Sequence, residues 1–321
     1  MNQAVEKTEK NAKIPSPAPL KTVLVMGVGL IGGSFAKGIR QRKLAQEVVG
    51  FGFHEAKLQK AVELGVLDRY EMHLPTAVAQ ADLILLAVPL GAIEQLLADI
   101  QPYLTAETIV TDAGSAKKCV LQSAQQVFGR IPENFVAGHP IAGKESSGVE
   151  AADGDLYENH RVILTPTAET NVQALQQVKQ LWQGLGACVS EMTPEYHDEV
   201  LAATSHLPHL LAFTLVDLLN EHEELGNVFQ YTAGGFRDFT RIASSDATMW
   251  RDIAVNNSDA IVKWLRNYQQ ALGEMIQLVE AQKGEQLFEL FTAAKEARDL
   301  HIVNRDPEKM QDCDFEESQS V

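Results

Sequence analysis

The segment HPIAGKESSG, residues 139–148, concentrates side chains that could move protons or bind charged groups. It carries His139 and Glu145 in a stretch with two glycines and no clear helical or strand period. An imidazole with a pKa near roughly 6.5 can accept a proton at neutral pH, which makes His139 a candidate general base. Catalytic groups are common on loops held by a rigid scaffold, so the segment predicts an active-site loop.

Two short motifs carry further polar groups. TDAGSAKK places Asp112 and Ser115 directly after an apolar strand, at the strand end where open α/β folds bind ligands. We expect Asp112 to fix this strand-end loop more than to do chemistry. SHLPHLLA places Ser205 and His209 four residues apart, which puts them on one helical face with His206 turned away.

The segment GGFRDFTRIASSDATMWRDI offers a cation for an anionic ligand. Arg237, Arg241 and Arg251 each carry a guanidinium, which can hold a carboxylate through two parallel hydrogen bonds. Asp238 lies three residues before Arg241 and could form a surface ion pair with it, while Trp250 adds a large aromatic group. Asp246 is the expected N-cap of a helix whose first residue is Ala247, a position where proline is favoured but not required.

A glycine loop predicts a dinucleotide site. VLVMGVGLIGGS has GxGxxG spacing at Gly27, Gly29 and Gly32, directly after a predicted strand and at the start of a predicted helix. The first glycine allows the tight turn, the second lets the backbone approach a pyrophosphate, and the third lets the helix pack on the sheet. The expected cofactor contacts are Gly27, Gly29, Leu30, Ile31, Gly32, Val88 and Asp112.

The coenzyme preference depends on the end of the second strand. An acid about 20 residues past the glycines normally holds the ribose 2′-hydroxyl of NAD. Here the strand ends in Val-Gly-Phe-Gly-Phe-His, so the acid is absent unless Glu55 takes its place, and no arginine stands there for a 2′-phosphate. His54 and Lys57 could help to bind one. We expect NAD as the cofactor, with NADP as the alternative.

The elements that must position these groups divide into two kinds. Between residues 22 and 166 short β-branched runs alternate with helical segments, which predicts a Rossmann-like, doubly wound α/β domain with a parallel sheet. One more helix, near residues 170–185, and a short strand at ACVSEM complete it before Pro194. Beyond that proline the strand signal disappears, which predicts an all-helical domain. Several of its helices are apolar over wide arcs, which favours a homodimer packed through this half, with a self-contained bundle as the alternative.

The expected boundaries are a flexible tail at 1–19, a dinucleotide-binding domain at 20–192, a helical substrate and dimerisation domain at 193–302, and an acidic flexible tail at 303–321. The formal net charge of -16 argues against a nucleic-acid partner and favours a small molecule. Three scattered cysteines, no signal-like start and no apolar stretch of spanning length predict a cytoplasmic protein without a membrane partner.

Together the motifs resemble those of the prephenate/arogenate dehydrogenase family of tyrosine biosynthesis. The resemblance covers about residues 21–300 and rests on MGVGLIGGS, DAGSAK, GHPIAGKESSG, SHLPH and GGFRDFTRIASSD in this order. It implies an NAD(P)-dependent oxidative decarboxylation of prephenate or arogenate by a homodimeric enzyme of two domains. The family usually has proline where this chain has Ala247, and we expect little effect of that difference.

The resemblance also implies a role for each site residue. His139 matches the histidine that accepts the C4 hydroxyl proton of the substrate, and Ser115 matches the serine that contacts the same hydroxyl. The residues that match substrate-binding or gating positions of the family are Arg241, His209, Ser205, Trp250, Glu145 and Asp238. Of these, Trp250 matches an aromatic residue that can reach the partner subunit's site.

Two other functions compete with this interpretation. The β-hydroxyacid dehydrogenases carry a catalytic lysine and asparagine four residues apart, and Lys263 and Asn267 have that spacing, but the glycine-rich lead-in of that motif is missing. A non-catalytic NAD(P) redox sensor would not need His139, Ser115 and Arg241 together. We expect no metal site.

Overall fold

The computed structural model describes residues 20–144, 146–222 and 226–303. Six strands come first: β1 (Leu20–Met26), β2 (Ala45–Phe51), β3 (Arg69–Tyr70), β4 (Leu83–Leu86), β5 (Ile109–Asp112) and β6 (Phe135–Val136). They form one sheet in the order β3-β2-β1-β4-β5-β6, and every neighbouring pair is parallel. The doubly wound α/β fold is therefore confirmed, with β3 as an edge strand that the sequence did not predict. The two terminal tails, up to residue 19 and from residue 304, lie outside the described residues.

Helices cover both faces of this sheet. They are α1 (Leu30–Arg42), α2 (Glu55–Glu63), α3 (Leu74–Ala79), α4 (Ile93–Ile100) and α5 (Lys118–Phe128). Successive side chains of a strand point to opposite faces, so Val23 and Val25 of β1 enter one apolar core, whereas Leu24 and Met26 enter the other. The sheet is buried on both sides, which explains the continuous apolar run of β1.

A second, three-stranded sheet stands apart from the first. It contains β7 (Gly138–Ile141), β8 (Arg161–Leu164) and β9 (Cys188–Glu191), with α6 (Val172–Gly184) between the last two strands. Strand β7 is antiparallel to β8, and β8 is parallel to β9. The expectation that β8 extends the parallel sheet is therefore wrong. The expected helix near residues 170–185 and the strand at ACVSEM are confirmed.

The run NFVAGHPI divides at Ala137 between the two sheets. Its first part pairs with β5 as the last parallel strand, and its second part turns away to pair with β8. His139 consequently lies within a strand, opposite Ile163, and not in the loop that the sequence predicted. Only the residues after Ile141 form the loop.

Lys117 fixes the place where the two sheets meet. Its side chain is completely buried and its Nζ forms an ion pair with Asp112 at the end of β5. The same Nζ donates a hydrogen bond of 2.7 Å to the carbonyl oxygen of Gly138, the first residue of β7. Gly138 in turn donates its N–H to the Asp112 carboxylate at 3.1 Å. A single buried cation therefore ties β7 to the parallel sheet.

The remaining residues are helical, and no further strand occurs between residues 192 and 303 in the part that the structure describes. The helices are α7 (Pro194–Leu201), α8 (Leu207–Glu221), α9 (Gly234–Thr240), α10 (Ala247–Asn256), α11 (Ser258–Glu280) and α12 (Gly284–Arg298). Asp246 caps α10 by accepting the N–H of Met249 at 2.8 Å, so the predicted cap is confirmed. The all-helical second half is confirmed as well.

A π-helical turn at Ala202–His206 joins α7 to α8. The resulting run from Pro194 to Glu221 is 28 residues long and by length and composition could cross a membrane, with 22% of its apolar window buried. The expectation that no stretch reaches this length is therefore wrong on these two criteria. Pro208 is the second residue of α8 and has no N–H to donate inside this continuous run, and the irregular π-helical turn directly precedes it.

Replacing Lys117 with methionine should lower the free energy of unfolding by about 3–5 kcal/mol, because Asp112 would stay buried without its cation. Urea denaturation followed by circular dichroism measures the change. The matched control is Lys118→Met, which removes the same charge from the next, partly exposed side chain and should change stability by at most about 0.5 kcal/mol. Equal stability of the two variants would contradict the role given to Lys117.

Candidate active site

The glycine turn between β1 and α1 has the shape of a pyrophosphate cradle. Gly27 has a φ of +96°, which favours glycine, and a Cβ there would collide with the carbonyl oxygen of Ala87. A Cβ at Gly32 would collide with the Gly27 carbonyl oxygen, so α1 can pack this closely only with glycine. A Cβ at Gly29 would meet no atom within 4 Å, so open space lies over the turn. The turn therefore fits the phosphates of a dinucleotide.

The other predicted cofactor contacts differ in their surroundings. Leu30 and Ile31 form the first turn of α1, and Val88 borders the glycine turn, since its Cγ1 would lie 3.1 Å from a Cβ at Gly27. Asp112 is completely buried, and its carboxylate accepts hydrogen bonds from the backbone N–H of Gly114 and Gly138 besides its ion pair. A direct coenzyme contact by this side chain does not fit the structure.

Three strand ends bring the predicted site residues to one edge of the sheet. Met26, Leu86 and Asp112 are paired in register at the carboxyl ends of β1, β4 and β5. The glycine turn follows the first of these strands, and the Lys117 contacts hold β7 beside the third. His139 therefore lies at the same edge as the glycine turn, as a residue of β7.

His139 is held by a second histidine that the sequence did not single out. The Nδ1 atom of His139 lies 3.0 Å from Nε2 of His197, a residue of α7 that is completely buried. The Nδ1 atom of His197 lies 2.8 Å from a carboxylate oxygen of Asp198. A continuous hydrogen-bonded chain therefore runs from Asp198 through His197 to His139.

Backbone groups at the start of α5 complete the surroundings of Asp198. Its two carboxylate oxygens accept the N–H of Lys117 at 2.7 Å and the N–H of Lys118 at 3.0 Å. Burial works against the charged carboxylate, but the hydrogen bonds from His197 and these two backbone groups outweigh it and lower the pKa of Asp198. Asp198 is therefore an ionised acceptor.

An ionised Asp198 fixes the tautomers of both rings. Because the carboxylate can only accept, Nδ1 of His197 carries a proton and its Nε2 is an acceptor. Nδ1 of His139 must then be the donor in the bond between the rings, which leaves Nε2 of His139 with the lone pair. This assignment follows from the hydrogen-bond network, and it gives His139 the form that a general base needs.

Burial keeps the rings of this chain neutral. The pKa of His139 lies well below its ordinary value, first because the ring is desolvated and then because His197, Lys117 and His206 lie nearby. Desolvation also lowers the pKa of His197, although the hydrogen bond that His197 donates to Asp198 acts to raise it. His139 as a whole residue remains 9% exposed.

The sequence contained a weak signal for His197 and Asp198. They follow each other in EYHDEV on the first helix of the helical half, directly after the expected domain boundary at Pro194. Their partner His139 lies 58 residues earlier in the chain, and no local period connects the two positions. Only the contact between α7 and the edge of the sheet brings them together.

The motif SHLPH surrounds a second cluster of rings. His209 stacks on Trp250 with ring centroids 3.9 Å apart and an interplanar angle of 22°. Its Nδ1 is 2.9 Å from the backbone carbonyl oxygen of Ser205, four residues earlier. Burial lowers the pKa of His209, and the nearby charge of Arg241 lowers it further. The structure thus brings Ser205, His209, Arg241 and Trp250 into one region.

Trp250 lies on its own chain's His209 and is only 6% exposed. In the single chain Trp250 therefore packs inside its own helical half and does not extend toward a partner subunit, contrary to the expectation from the family resemblance. His206 lies at the centre of the cluster, where burial first and His197 next lower its pKa to about 4. Asn257 connects His206 to α7, because its Nδ2 lies 3.2 Å from the His206 ring and donates to the Asp198 carbonyl at 2.8 Å.

Four predicted site residues remain. Ser115 is half-buried in the loop between β5 and α5, beside Lys117. Arg241 and Asp238 are exposed, at the 3-10 turn Arg241–Ser244 and on α9. Glu145 lies outside the described residues. Among the residues that the structure describes, no cluster of His, Cys, Asp or Glu could hold a metal ion.

Comparison with known families matches both halves of the chain. The family model described as prephenate dehydrogenase, nucleotide-binding domain, matches residues 35–191. The model described as prephenate dehydrogenase, dimerization domain, matches residues 193–293. The two matches follow each other without overlap, and together they span β2 to β6 of the parallel sheet, the second sheet and most of the helical half. Strand β1 and the glycine turn lie before the first match.

Individual relatives agree with these matches. The prephenate dehydrogenase of Bacillus subtilis (strain 168) is 38% identical over 283 residues, which cover 87% of this chain and 75% of the relative. The cyclohexadienyl dehydrogenase of Zymomonas mobilis subsp. mobilis is 34% identical over 281 residues, covering 87% and 95%.

A solved structure extends the likeness to three dimensions. The crystal structure of prephenate dehydrogenase from A. aeolicus, in complex with hydroxyphenyl propionate and NAD+, has a TM-score of 0.82 and 36% sequence identity. The match covers 87% of this chain and 97% of that one. On the family models, the identities and the shared fold, the chain belongs to the prephenate dehydrogenase family.

Proposed function

We propose that this chain is a prephenate dehydrogenase, which converts prephenate to 4-hydroxyphenylpyruvate and carbon dioxide with a nicotinamide dinucleotide as oxidant. The hydrogen-bonded chain Asp198–His197–His139 beside the glycine turn is the observation that carries this proposal. It sets a neutral, oriented imidazole at the edge where the coenzyme turn lies. Arogenate, which differs from prephenate in an amino group on the side chain, is the related substrate that the assay must include.

In the proposed reaction His139 accepts the proton of the C4 hydroxyl through Nε2. Ser115, which follows β5 at the same edge, contacts this hydroxyl and helps to polarise it. A nicotinamide coenzyme held at the glycine turn, Gly27 to Gly32, would supply the acceptor for the hydride that leaves C4. The C1 carboxylate leaves as carbon dioxide and its bonding electrons complete the aromatic ring, so atoms and charges balance. Because aromatisation drives the reaction, the protein mainly orients the substrate and removes one proton.

The substrate is an anion, and an acidic protein must provide local groups to bind it. Arg241, Ser205 and His209 supply a cation and two hydrogen-bonding groups near the same face of α8. We assign Arg241 to the side-chain carboxylate, because a strong clamp on the departing C1 carboxylate would stabilise the ground state and oppose its loss. On the family resemblance we keep Asp238 and Glu145 as residues that close the substrate site. We assign Trp250 to the same site, where it stacks on His209.

The structure offers no support for a β-hydroxyacid dehydrogenase. That activity would require the Lys263 ammonium as a catalytic group, but its Nζ lies 2.6 Å from a carboxylate oxygen of Glu199. The Nε1 atom of Trp264 donates to the same oxygen at 2.9 Å. These contacts give Lys263 a role in packing α11 on α7. A non-catalytic redox sensor would leave the oriented base without a purpose.

The helical half belongs to a dimerization domain, and we propose that its exposed apolar face pairs two copies of this chain. On α11, Leu272, Ile276 and Val279 recur at helical spacing and are 42–58% exposed. The apolar run Pro194–Glu221 also contains the buried Asp198, which belongs to the site. We therefore assign this run to the folded protein and not to a membrane, and we propose that the protein is a cytoplasmic homodimer. The net charge of -16 argues against a nucleic-acid partner.

His139→Asn should strongly lower the turnover of prephenate while leaving coenzyme binding intact, because it removes the base and keeps a polar side chain. The rise of reduced-nicotinamide absorbance is measured with prephenate and arogenate, each with NAD+ and NADP+. We expect kcat to fall by about 10²–10⁴. Wild-type protein that binds coenzyme but oxidises neither substrate would overturn the proposed function.

Asp198→Asn should lower kcat by a similar factor, about 10²–10⁴, without touching the substrate. An amide at position 198 can donate to Nδ1 of His197, which reverses both tautomers and puts the proton on Nε2 of His139. The pH profile is the second readout. Since burial lowers the pKa of His139, wild-type kcat/KM should keep its plateau as the pH falls through 6.5 and decline only below it.

The matched control for Asp198→Asn is Asp155→Asn, a 65% exposed carboxylate that pairs with Arg42 far from the site. It should change neither kcat nor the pH profile. A loss of stability in Asp198→Asn with unchanged kcat of the folded fraction would show a purely structural role and contradict the assignment.

The pairing face can be tested by size-exclusion chromatography with light scattering. Wild-type protein should have about twice the chain mass of 35.2 kDa, and the double variant Ile276→Glu, Val279→Glu should be monomeric, because four charges would be buried in the dimer. Gln277→Glu, an exposed position between them, is the control and should remain dimeric. A dimeric double variant would place the interface elsewhere.

A further inference from the structure

The end of strand β2 lies beside the glycine turn. Residue Phe51 is in register with Met26 of β1, and its carbonyl oxygen accepts the N–H of Gly27 at 3.3 Å. The next residue, Gly52, therefore occupies the position from which a side chain would reach the adenosine ribose of a dinucleotide on that turn. In dinucleotide folds an acid near this position binds the 2′-hydroxyl and selects NAD.

Packing does not explain the glycine at position 52. A Cβ there would meet a single neighbour, Cδ2 of Leu58 at 3.8 Å, which is an ordinary van der Waals contact. Its backbone also lies outside the left-handed region that would require glycine. By contrast, a Cβ at Gly27 or Gly32 would collide with backbone. Gly52 thus leaves space at the ribose end of the site and places no charged side chain there.

The nearest alternative acid is directed elsewhere. A carboxylate oxygen of Glu55 accepts a hydrogen bond of 3.1 Å from the hydroxyl of Tyr70, which lies on the neighbouring strand β3. This hydrogen bond raises the pKa of Tyr70, so the phenol remains the donor. Glu55 is therefore held toward β3 by its own partner, and it does not replace the missing acid at the end of β2.

The exposed groups around Gly52 suit an anion better than a bare hydroxyl. His54 is the N-cap residue of α2 and Lys57 lies in its first turn, and both side chains are exposed. Phe53 is 80% exposed and packs edge-on against Phe51, which leaves a ring face open to an adenine. No side-chain hydrogen bond or ion pair ties His54 or Lys57 to another described residue.

We propose that Gly52 determines coenzyme specificity and that this chain binds NADP+ about as well as NAD+, with His54 and Lys57 as ligands of the 2′-phosphate. The inference rests on the nicotinamide coenzyme of the proposed function and adds the subsite that chooses between its two forms. NADP+ is accepted because no carboxylate stands at position 52 and because His54 and Lys57 can donate hydrogen bonds to the 2′-phosphate. None of these three residues belongs to the proposed base or to the substrate-binding groups.

Isothermal titration calorimetry on the protein without substrate tests this directly, with NAD+, NADP+ and 2′,5′-ADP as ligands at one ionic strength. Wild-type Kd values for NAD+ and NADP+ should agree within about tenfold. Gly52→Asp should weaken NADP+ by about 100-fold or more, because a carboxylate would face the 2′-phosphate, and should leave NAD+ as tight or tighter. Lys57→Ala should weaken NADP+ and 2′,5′-ADP by about tenfold but not NAD+.

Gly52→Asn is the matched control, because it adds the same volume without the charge, and it should lose less than about tenfold of the NADP+ affinity. Wild-type protein that binds NADP+ more than about 100-fold more weakly than NAD+ would overturn the proposal. An unchanged ratio of the two Kd values in both Gly52→Asp and Lys57→Ala would overturn it as well. Since the titration needs no turnover, a protein with the expected ratios that oxidises neither prephenate nor arogenate would count against the proposed function alone.

Discussion

The rest of the site depends on the interactions of one buried residue, Lys117, with the ends of two strands. Its side chain joins the end of β5 to the start of β7, and its backbone N–H holds the carboxylate of Asp198. One residue therefore positions the strand of His139 and also the helix of His197. An unpaired buried charge is costly, so the Asp112 carboxylate is needed to keep Lys117 in place. The motif DAGSAK encodes this junction in six residues.

Local patterns in the sequence predicted what depends on neighbours along the chain. The glycine turn, the strands of the parallel sheet, the cap at Asp246 and the helices after Pro194 are all set within short windows, and the structure contains them. The departure of β7 from the parallel sheet was not predictable in this way, because Gly138 pairs with Leu164 across a long connection. His197 and Asp198 were missed for the same reason, since their role depends on a partner 58 residues distant.

The electrostatics of His139, the proposed base, reflect a compromise between burial and basicity. Desolvation favours the neutral imidazole, so His139 is ready to accept a proton at any pH near neutrality, although a lowered pKa makes it a weaker base. Asp198 offsets part of this loss. Its ionised carboxylate lies at the far end of the hydrogen-bonded chain and stabilises the positive charge that would form when His139 accepts the proton. A weak base can serve here because aromatisation of the product drives the reaction.

The strand order separates the choice of coenzyme from the chemistry. In the sheet β2 lies on one side of β1, whereas β4 and β5 lie on the other, and β7 is attached beyond them. Gly52 and His139 therefore flank the glycine turn from opposite sides. A side chain added after β2 changes the charge near the ribose without reaching the base, its histidine partner or the helical half. Coenzyme preference can consequently change by single substitutions in this fold, whereas the base depends on contacts among three elements that must change together.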